Sequence, residues 1–137
     1  GSAEMAKTTT TEFILSNSPT GVGSAHLLGS SLAFITSSNG MPSTTTFELQ
    51  FKGTPPASLS ELVSGAPGAG HAPLYITEFT VSTGKGGHHV TPQGQYTLAD
   101  PVLTSVSTAV TARGTVSTVD ITPARFDFHA IPTGFAV

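Results

Sequence analysis

The sequence predicts a mainly β fold, an antiparallel β-barrel with one short flanking α-helix. Short segments in which apolar and polar residues alternate recur along the chain, clusters of Gly, Pro, Asn and Ser separate them, and one segment spaces its apolar residues like a helix. Many short strands joined by turns are typical of an antiparallel sandwich or barrel. A barrel is favoured because it leaves no open strand edge, whereas a sheet with few charges is poorly protected against edge-to-edge association.

The clearest strand is predicted at residues 43–51. Phe47, Leu49 and Phe51 alternate there with polar residues, so one face of the strand is buried and the other is wet. An Asn-Gly turn signal precedes this strand. Further strands, about six to eight in all, are predicted at residues 12–16, 25–37 with a bend or bulge, 74–82, 95–98, 102–110 and 116–130 with a break at Pro123.

A single helix is predicted at residues 55–64. Its apolar residues recur at positions i, i+3 and i+4: Leu59, Leu62 and Val63. Residues 58–61 have the spacing of an N-terminal capping box, and Gly65 ends the segment. Because a helix of two to three turns is not stable by itself in water, its apolar stripe is expected to dock on the sheet.

The chain of 137 residues is expected to form one domain. We assign residues 7–137 to a single β-barrel domain and interpret residues 1–6 as an expression remnant and a disordered N-terminus, because Gly1 and Ser2 are typical of such a remnant. The N-terminus has no basic segment followed by an apolar stretch and a cleavage site, and no apolar run reaches the roughly 18 residues of a membrane span. Neither a cleaved signal peptide nor a membrane partner is therefore expected.

Low charge is the strongest compositional signal. Charged residues make up 9% of the chain, against about 25% in an average globular domain, so Ser, Thr and Gly must supply most of the wet surface. The five Lys and Arg residues are scattered and the net charge is -3, which argues against a nucleic-acid partner. Few charges also mean little repulsion between copies and little desolvation cost in a contact. An assembling protein is therefore expected.

No set of residues has the spacing of a catalytic, metal or cofactor site. The chain has no Cys, and the adjacent His88 and His89 would point to opposite faces of a strand, with no further ligand at metal-binding spacing. No nucleophile elbow occurs, and Gly21 and Gly23 lack the third glycine of a phosphate loop. Glu48 is interpreted as part of the wet face of its strand. We therefore predict that the protein is not an enzyme and uses no cofactor or metal.

The order of the segments resembles the haemolysin-coregulated protein (Hcp) family, the tube proteins of type VI secretion. The resemblance covers most of the chain and is carried by residues 47–52, 54–56, 58–65, 72–79, 102–108 and 121–128, with a similar pattern upstream at residues 23–26 and 32–39. The chain departs from the family in having far fewer charges, no Trp, and residues 54–56 as Thr-Pro-Pro where the family usually has Asp and then Ser or Thr before Pro.

This resemblance implies a structural subunit. Copies of the protein would form hexameric rings, and the rings would stack into the inner tube of a type VI secretion system, a contractile injection system. The subunit would carry cargo in the lumen, stay in the cytoplasm before firing and then be secreted without a cleaved signal peptide. Its partners would be itself and the tube-tip, sheath and cargo effector proteins. The hairpin tip would form the loop that contacts the next ring: Ser38, Asn39, Gly40, Met41 and Pro42.

Other classes remain open. Tube proteins of contractile phage tails share the same architecture, so the chain is also compatible with a tube subunit of another contractile system. A monomeric secreted β-sandwich module that binds carbohydrate is a further alternative, although two Tyr and no Trp provide little surface for stacking on sugars. A small hydrolase ranks last because no nucleophile, base and orienting residue can be named together.

Overall fold

Nine β-strands and one turn of 3₁₀ helix make up most of the chain that the computed structural model describes, namely residues 8–30, 32–37, 43–59 and 71–135. The strands are β1 (Thr8–Ser16), β2 (Ala25–His26), β3 (Ala33–Ser37), β4 (Thr44–Lys52), β5 (Leu74–Gly84), β6 (Gly87–Ala99), β7 (Val102–Thr111), β8 (Gly114–Thr122) and β9 (Arg125–His129). The 3₁₀ turn, Ala57–Leu59, follows β4.

The strands form two antiparallel sheets that face each other. The five-stranded sheet has the order β2-β1-β5-β6-β9, and the four-stranded sheet has the order β3-β4-β8-β7. The mainly β, antiparallel class is therefore confirmed, but the barrel is not closed: among the described strands, hydrogen-bonded ladders run within each sheet and none joins one sheet to the other. Apolar alternation indicates which side chains turn toward a core, but it does not indicate which strands pair. The sequence pattern therefore did not reveal that the two sheets are not joined by a ladder.

Consecutive backbone hydrogen bonds join the two sheets at one corner. After β2, the Leu27 N–H donates to the Phe13 carbonyl of the five-stranded sheet over 2.9 Å, and the Leu28 N–H donates to the Gln50 carbonyl of the four-stranded sheet over 2.7 Å. Elsewhere the chain itself passes between the sheets, from β6 to β7 and from β8 to β9. The structure is therefore a two-layer sheet structure that is linked at its corners.

Side chains from both sheets meet in one apolar core. Phe47, Leu49 and Phe51 of β4 are buried in it, while Gln50 between them is exposed. This confirms the alternation predicted for residues 43–51. The other members of the core come from both sheets and the segments beside them: Phe13, Leu15, Leu27, Leu59, Leu74, Ile76, Leu98, Val119 and Ile121.

Two predicted segments are divided between the sheets, residues 25–37, which were predicted as one bent or bulged strand, and residues 116–130, which were predicted with a break at Pro123. Residues 25–37 form β2 in the five-stranded sheet and β3 in the four-stranded sheet, and Gly29 between them has a φ of 88°, a left-handed conformation that favours glycine. Residues 116–130 divide at Pro123 into β8 and β9, which also belong to different sheets. Each division lies where the chain leaves one ladder and joins the other, which strand periodicity alone does not show.

The sixth strand is longer than predicted. Residues 95–98 were the predicted segment, but β6 begins at Gly87, directly after a hairpin turn. The first half of β6 is exposed and lacks apolar alternation, and its pairing with β5 is what holds it as a strand. A register shift places Gly94 opposite Glu78 and Pro92 opposite Phe79, which accommodates the proline in the ladder.

The predicted helix is described only in part. Ala57–Leu59 form one 3₁₀ turn, and Leu59 is buried in the core. Residues 60–64 of the predicted helix and residues 1–6 of the predicted N-terminal remnant lie outside the described residues.

Leu49→Ala should lower the free energy of unfolding by about 2–5 kcal/mol, because Leu49 is fully buried and its truncation leaves a cavity in the core. Gln50→Ala, on the exposed side of the same strand, is the matched control and should change that free energy by less than about 0.5 kcal/mol. Urea denaturation followed by circular dichroism measures both. Equal losses in the two variants would contradict the faces assigned to β4.

Candidate assembly surface

The two edges of the four-stranded sheet, β3 and β7, are exposed. All five residues of β3 and the last eight of the ten residues of β7 are exposed, and neither strand contains a charged residue or a proline. Proteins usually blunt such edges with Lys, Pro or a covering element, because free N–H and C=O groups pair readily with another chain. The bulge in β7 lies near its start, between Leu103 and Ser105, and leaves the rest of the strand regular. Both edges are therefore suited to pair with a further strand.

The two edges run in opposite directions. Each strand of the sheet is antiparallel to its neighbour, and four strands make an even number, so β3 and β7 point in opposite directions. A second copy that is rotated about an axis along the strands therefore sets its β3 antiparallel to β7 of the first copy. Repeating this rotation continues the sheet from copy to copy and produces either a closed ring or an open helix.

The inner side of both edges carries apolar side chains that are only partly covered. Phe34 on β3 lies opposite Phe47 and is 46% exposed. Val106 on β7 lies opposite Val119 and is also 46% exposed, and Val110, on the same face, is 86% exposed. We call Val106 and Val110 the valine strip. The exposure of these inner-side residues indicates that the four-stranded sheet extends beyond the five-stranded sheet, which covers its inner side, at both edges.

Aromatic rings fill the corner between β3, β6 and β9. Four of them, which we call the aromatic seam, are Phe34, Tyr96, Phe126 and Phe128. Three of them contact the buried Phe47, whose ring centroid is 4.9 Å from that of Phe126, 5.0 Å from that of Phe34 and 5.6 Å from that of Tyr96. Tyr96 connects the two sides of the seam, at 5.8 Å from Phe34 and 4.5 Å from Phe128. The rings meet edge-to-face or tilted, as aromatic pairs prefer.

Gly94 makes room for one ring of the seam. A Cβ atom at this position would overlap the Phe128 ring, which therefore rests against the backbone of β6. Phe126 and Phe128 remain 41% and 48% exposed. Sequence reasoning did not find the seam, because its four members come from three strands that are distant in the sequence, and only the alternation of the two phenylalanines on β9 pointed to a shared face.

The outer face of the four-stranded sheet is mostly small and polar. The hydroxyls of Thr46 on β4 and Thr122 on β8 form a hydrogen bond of 2.7 Å, and the Gln50 side-chain amide donates to the Thr118 hydroxyl over 3.5 Å. Ile35, opposite Thr46 on the edge strand β3, is an exposed apolar residue of the same face.

Two carboxylates lie opposite each other in the middle of this outer face. Glu48 on β4 pairs in register with Asp120 on β8. Hydrogen bonding to the Asp120 side chain raises the pKa of Glu48, with burial and the negative charge of Asp120 as further causes. The sequence interpretation of Glu48 as a wet-face residue missed its partner, because the register between two strands far apart in the sequence is not visible in local alternation.

The predicted ring-stacking loop, residues 38–42, lies outside the described residues, but its stem is described. Ser37 pairs with Thr44, and their hydroxyls are 3.1 Å apart. This pair marks the end of β3 and the start of β4, on either side of the loop in the sequence. At the other end of β4, a cleft of about 420 Å³ is lined by Lys52, Arg113 and four neighbours.

Other sequence candidates do not come together. His88 and His89 lie in the exposed first half of β6. Within residues 8–30, 32–37, 43–59 and 71–135, no three His, Asp or Glu side chains are grouped so that they would hold a metal ion. No helix in those ranges is both long and apolar enough to cross a membrane.

Glu48→Gln should make stability less dependent on pH and should stabilise the protein at neutral pH. A carboxyl group whose pKa is raised by folding binds more protons in the folded state, so its contribution is favourable at low pH and is lost as the pH rises through that raised pKa. The free energy of unfolding of the variant minus that of the parent should therefore increase from about pH 4 to about pH 7. Urea denaturation across this range measures the difference, with Glu12→Gln in the other sheet as the control. A constant difference would contradict the pairing.

No protein-family model matches this sequence, and no curated protein matches it. The structure is similar to a solved structure described as the crystal structure of Hcp protein, with a TM-score of 0.55 over 88% of this chain and 93% of that chain, at 8% sequence identity. At this identity the likeness establishes architecture, and function must be argued from the surfaces of this chain. The resemblance found in the sequence is thereby confirmed for the fold: this chain has an Hcp-like fold.

Proposed function

We propose that this protein is a structural subunit whose copies form hexameric rings, and that the rings stack into the inner tube of a type VI secretion system. The observation that carries this proposal is the pair of uncharged, oppositely directed edges on the four-stranded sheet of an Hcp-like fold. Such edges provide each copy with two unlike, complementary surfaces, as a head-to-tail ring requires. The number of six copies and their stacking follow from the resemblance to the Hcp family.

In the proposed ring, the four-stranded sheet forms the inner wall and the five-stranded sheet forms the outer layer. The inner wall has the shorter circumference, which fits the narrower sheet, and pairing of its edges makes the wall continuous. The face of this sheet that points away from the core would then line the lumen. It carries the hydroxyls of Thr46, Thr118 and Thr122 and the carboxyl groups of Glu48 and Asp120. A small, polar lining offers no large apolar patch to which cargo would adhere, which is favourable for a carrier.

The proposal extends to the rest of the system. The subunit would be cytoplasmic before firing, would be secreted with the tube without a cleaved signal peptide, and would carry cargo in the lumen. Its partners would be copies of itself, tube-tip and sheath proteins, and cargo effectors. A tube subunit of a phage-tail-like contractile system would use the same edges. A monomeric binding module is less well supported, because an uncharged edge strand of ten residues would leave a monomer open to association.

Proline in β7 should separate assembly from folding. Of two consecutive residues in an antiparallel strand, one directs its N–H to the partner strand and the other directs it to the free edge. We therefore compare Ser107→Pro with Thr108→Pro. The variant that loses the edge-directed N–H should stay folded but have the mass of one copy. The parent should have a mass near that of six copies. Light scattering measures the mass, and circular dichroism verifies folding.

The other proline variant is the matched control, because it loses a hydrogen bond to β8 and should be destabilised as a monomer. A parent that remains monomeric at high concentration would contradict the ring. A folded variant with proline at the edge-directed position that still assembles would show that β7 is not the edge used.

Replacing residues 38–42 by Asn-Gly should leave rings intact and weaken their stacking. In the sequence these residues lie between the paired Ser37 and Thr44, so a short turn in their place spares both strand edges. Light scattering of single rings and electron microscopy of tubes measure the two levels of assembly, and a Gly-Ser loop of the original length is the control for loop size. Tubes of unchanged length and abundance in both variants would contradict the stacking role.

A further inference from the structure

We propose that the aromatic seam of one copy is the binding site for the valine strip of the next copy. This inference rests on the proposed ring and names side chains that would hold neighbouring copies together beside the paired strand edges. It places Val106 and Val110 of β7 against the rings of Phe34, Phe126 and Phe128 of the adjacent copy.

The seam exposes preformed apolar surface. Phe34, Phe126 and Phe128 keep 46%, 41% and 48% of their surface in water, although each packs against another aromatic ring. With about 200 Å² for a whole aromatic side chain, the three rings present about 270 Å². Because the buried Phe47 and the half-buried Tyr96 hold these rings in place, little side-chain entropy is lost when a partner covers them.

Strand pairing at β3 would bring the valine strip to the seam. Phe34 lies on the inner side of β3, and a strand paired with β3 sets its own inner-side residues beside Phe34, with directly opposite Cβ atoms about 5 Å apart. On β7 the inner side carries the valine strip and Thr108, whereas the outer side carries the small Ser107 and Ala109. The apolar side of the incoming strand is thus the side that faces the seam.

The dimensions and the charges of the two surfaces also agree. Val106 and Val110 are about 13 Å apart along β7, and Phe126 and Phe128 are about 7 Å apart along β9, so the strip is long enough to reach both phenylalanines of β9. Neither β3 nor β7 carries a charge, and the charged residues of β9 alternate with its phenylalanines and therefore point to the opposite face. The contact therefore removes no ion of β3, β7 or β9 from water. A carboxylate that acts on the seam is that of Glu78 on β5: burial is the main cause that raises the pKa of Tyr96, and the negative charge of Glu78 raises it further.

The seam supplies part of the area that a stable contact needs. Specific interfaces bury about 800 Å² on each partner. The exposed parts of the seam rings amount to about a third of this area, so the paired edges would have to contribute about two-thirds.

Val110→Asp should weaken assembly and leave the monomer folded. Val110 is 86% exposed, so a carboxylate there costs the monomer little, whereas against the seam it would be buried without a partner. Val22→Asp, at a 69% exposed valine in the loop after β1, is the matched control. By light scattering, Val22→Asp should assemble like the parent and Val110→Asp should need at least about tenfold more protein. Equal assembly of the two variants would overturn the proposal.

The absence of cysteine from the chain allows a direct test of the contact. Val110→Cys and Phe128→Cys are prepared separately, mixed and treated with a short bis-maleimide reagent. Linked dimers that contain both variants are expected from this mixture and not from Phe128→Cys mixed with Val22→Cys. Linkage within Val110→Cys alone would indicate that β7 pairs with β7 of a second copy about a two-fold axis, and it would overturn the proposal.

The experiments distinguish a result that contradicts the seam contact from a result that contradicts the proposed ring. A parent that is monomeric at every concentration contradicts the ring and, with it, the seam contact. A parent with the mass of six copies contradicts the seam contact alone when Val110→Asp assembles as well as Val22→Asp and when mixed cross-links are absent.

Discussion

The register between β4 and β8 is the constraint on which the rest of the structure depends. It sets Phe47 opposite Ile121 and Leu49 opposite Val119, which turns all four side chains into the core. The same register places the carboxyl groups of β4 and β8 together on the outer face. A slip of one residue would turn each of these side chains to the opposite face. Because β4 and β8 are the central strands, the edge strands β3 and β7 share this division into an inner and an outer side.

The few charges and the open edges have one physical consequence in common. In an isolated chain, unpaired strand edges invite association, and half-exposed aromatic rings leave apolar surface in water. Charged side chains on these edges would protect a monomer, but they would have to be desolvated in any contact between copies. In the proposed ring the edges are paired and the seam is covered, so a surface with few charges is an advantage there.

The two sheets differ in what they leave free. On the outer side of the five-stranded sheet, the buried Gln95 side-chain amide donates to the Pro19 carbonyl over 2.8 Å and to the Thr77 hydroxyl over 3.1 Å, which fastens the loop after β1 onto the sheet. The Gly94 position lets Phe128 pack on the same sheet from its inner side. The four-stranded sheet instead presents an exposed, mostly polar face, and no other described strand pairs with its edges β3 and β7. In the proposed ring, the four-stranded sheet would provide the paired edges, and β6 and β9 of the five-stranded sheet would contribute three of the four seam rings.

Local pattern was sufficient for the mainly β class, for the buried face of β4 and for the order of segments that resembles the Hcp family. Each of these features depends on residues that are near one another in the chain, and side-chain alternation in a strand reports them directly. The division of residues 25–37 between two sheets, the strand at His88 and His89, the pairing of Glu48 with Asp120 and the aromatic seam were decided only in three dimensions. They depend on which distant segments pair and in which register, and the backbone hydrogen bonds that settle this are nearly the same for every sequence.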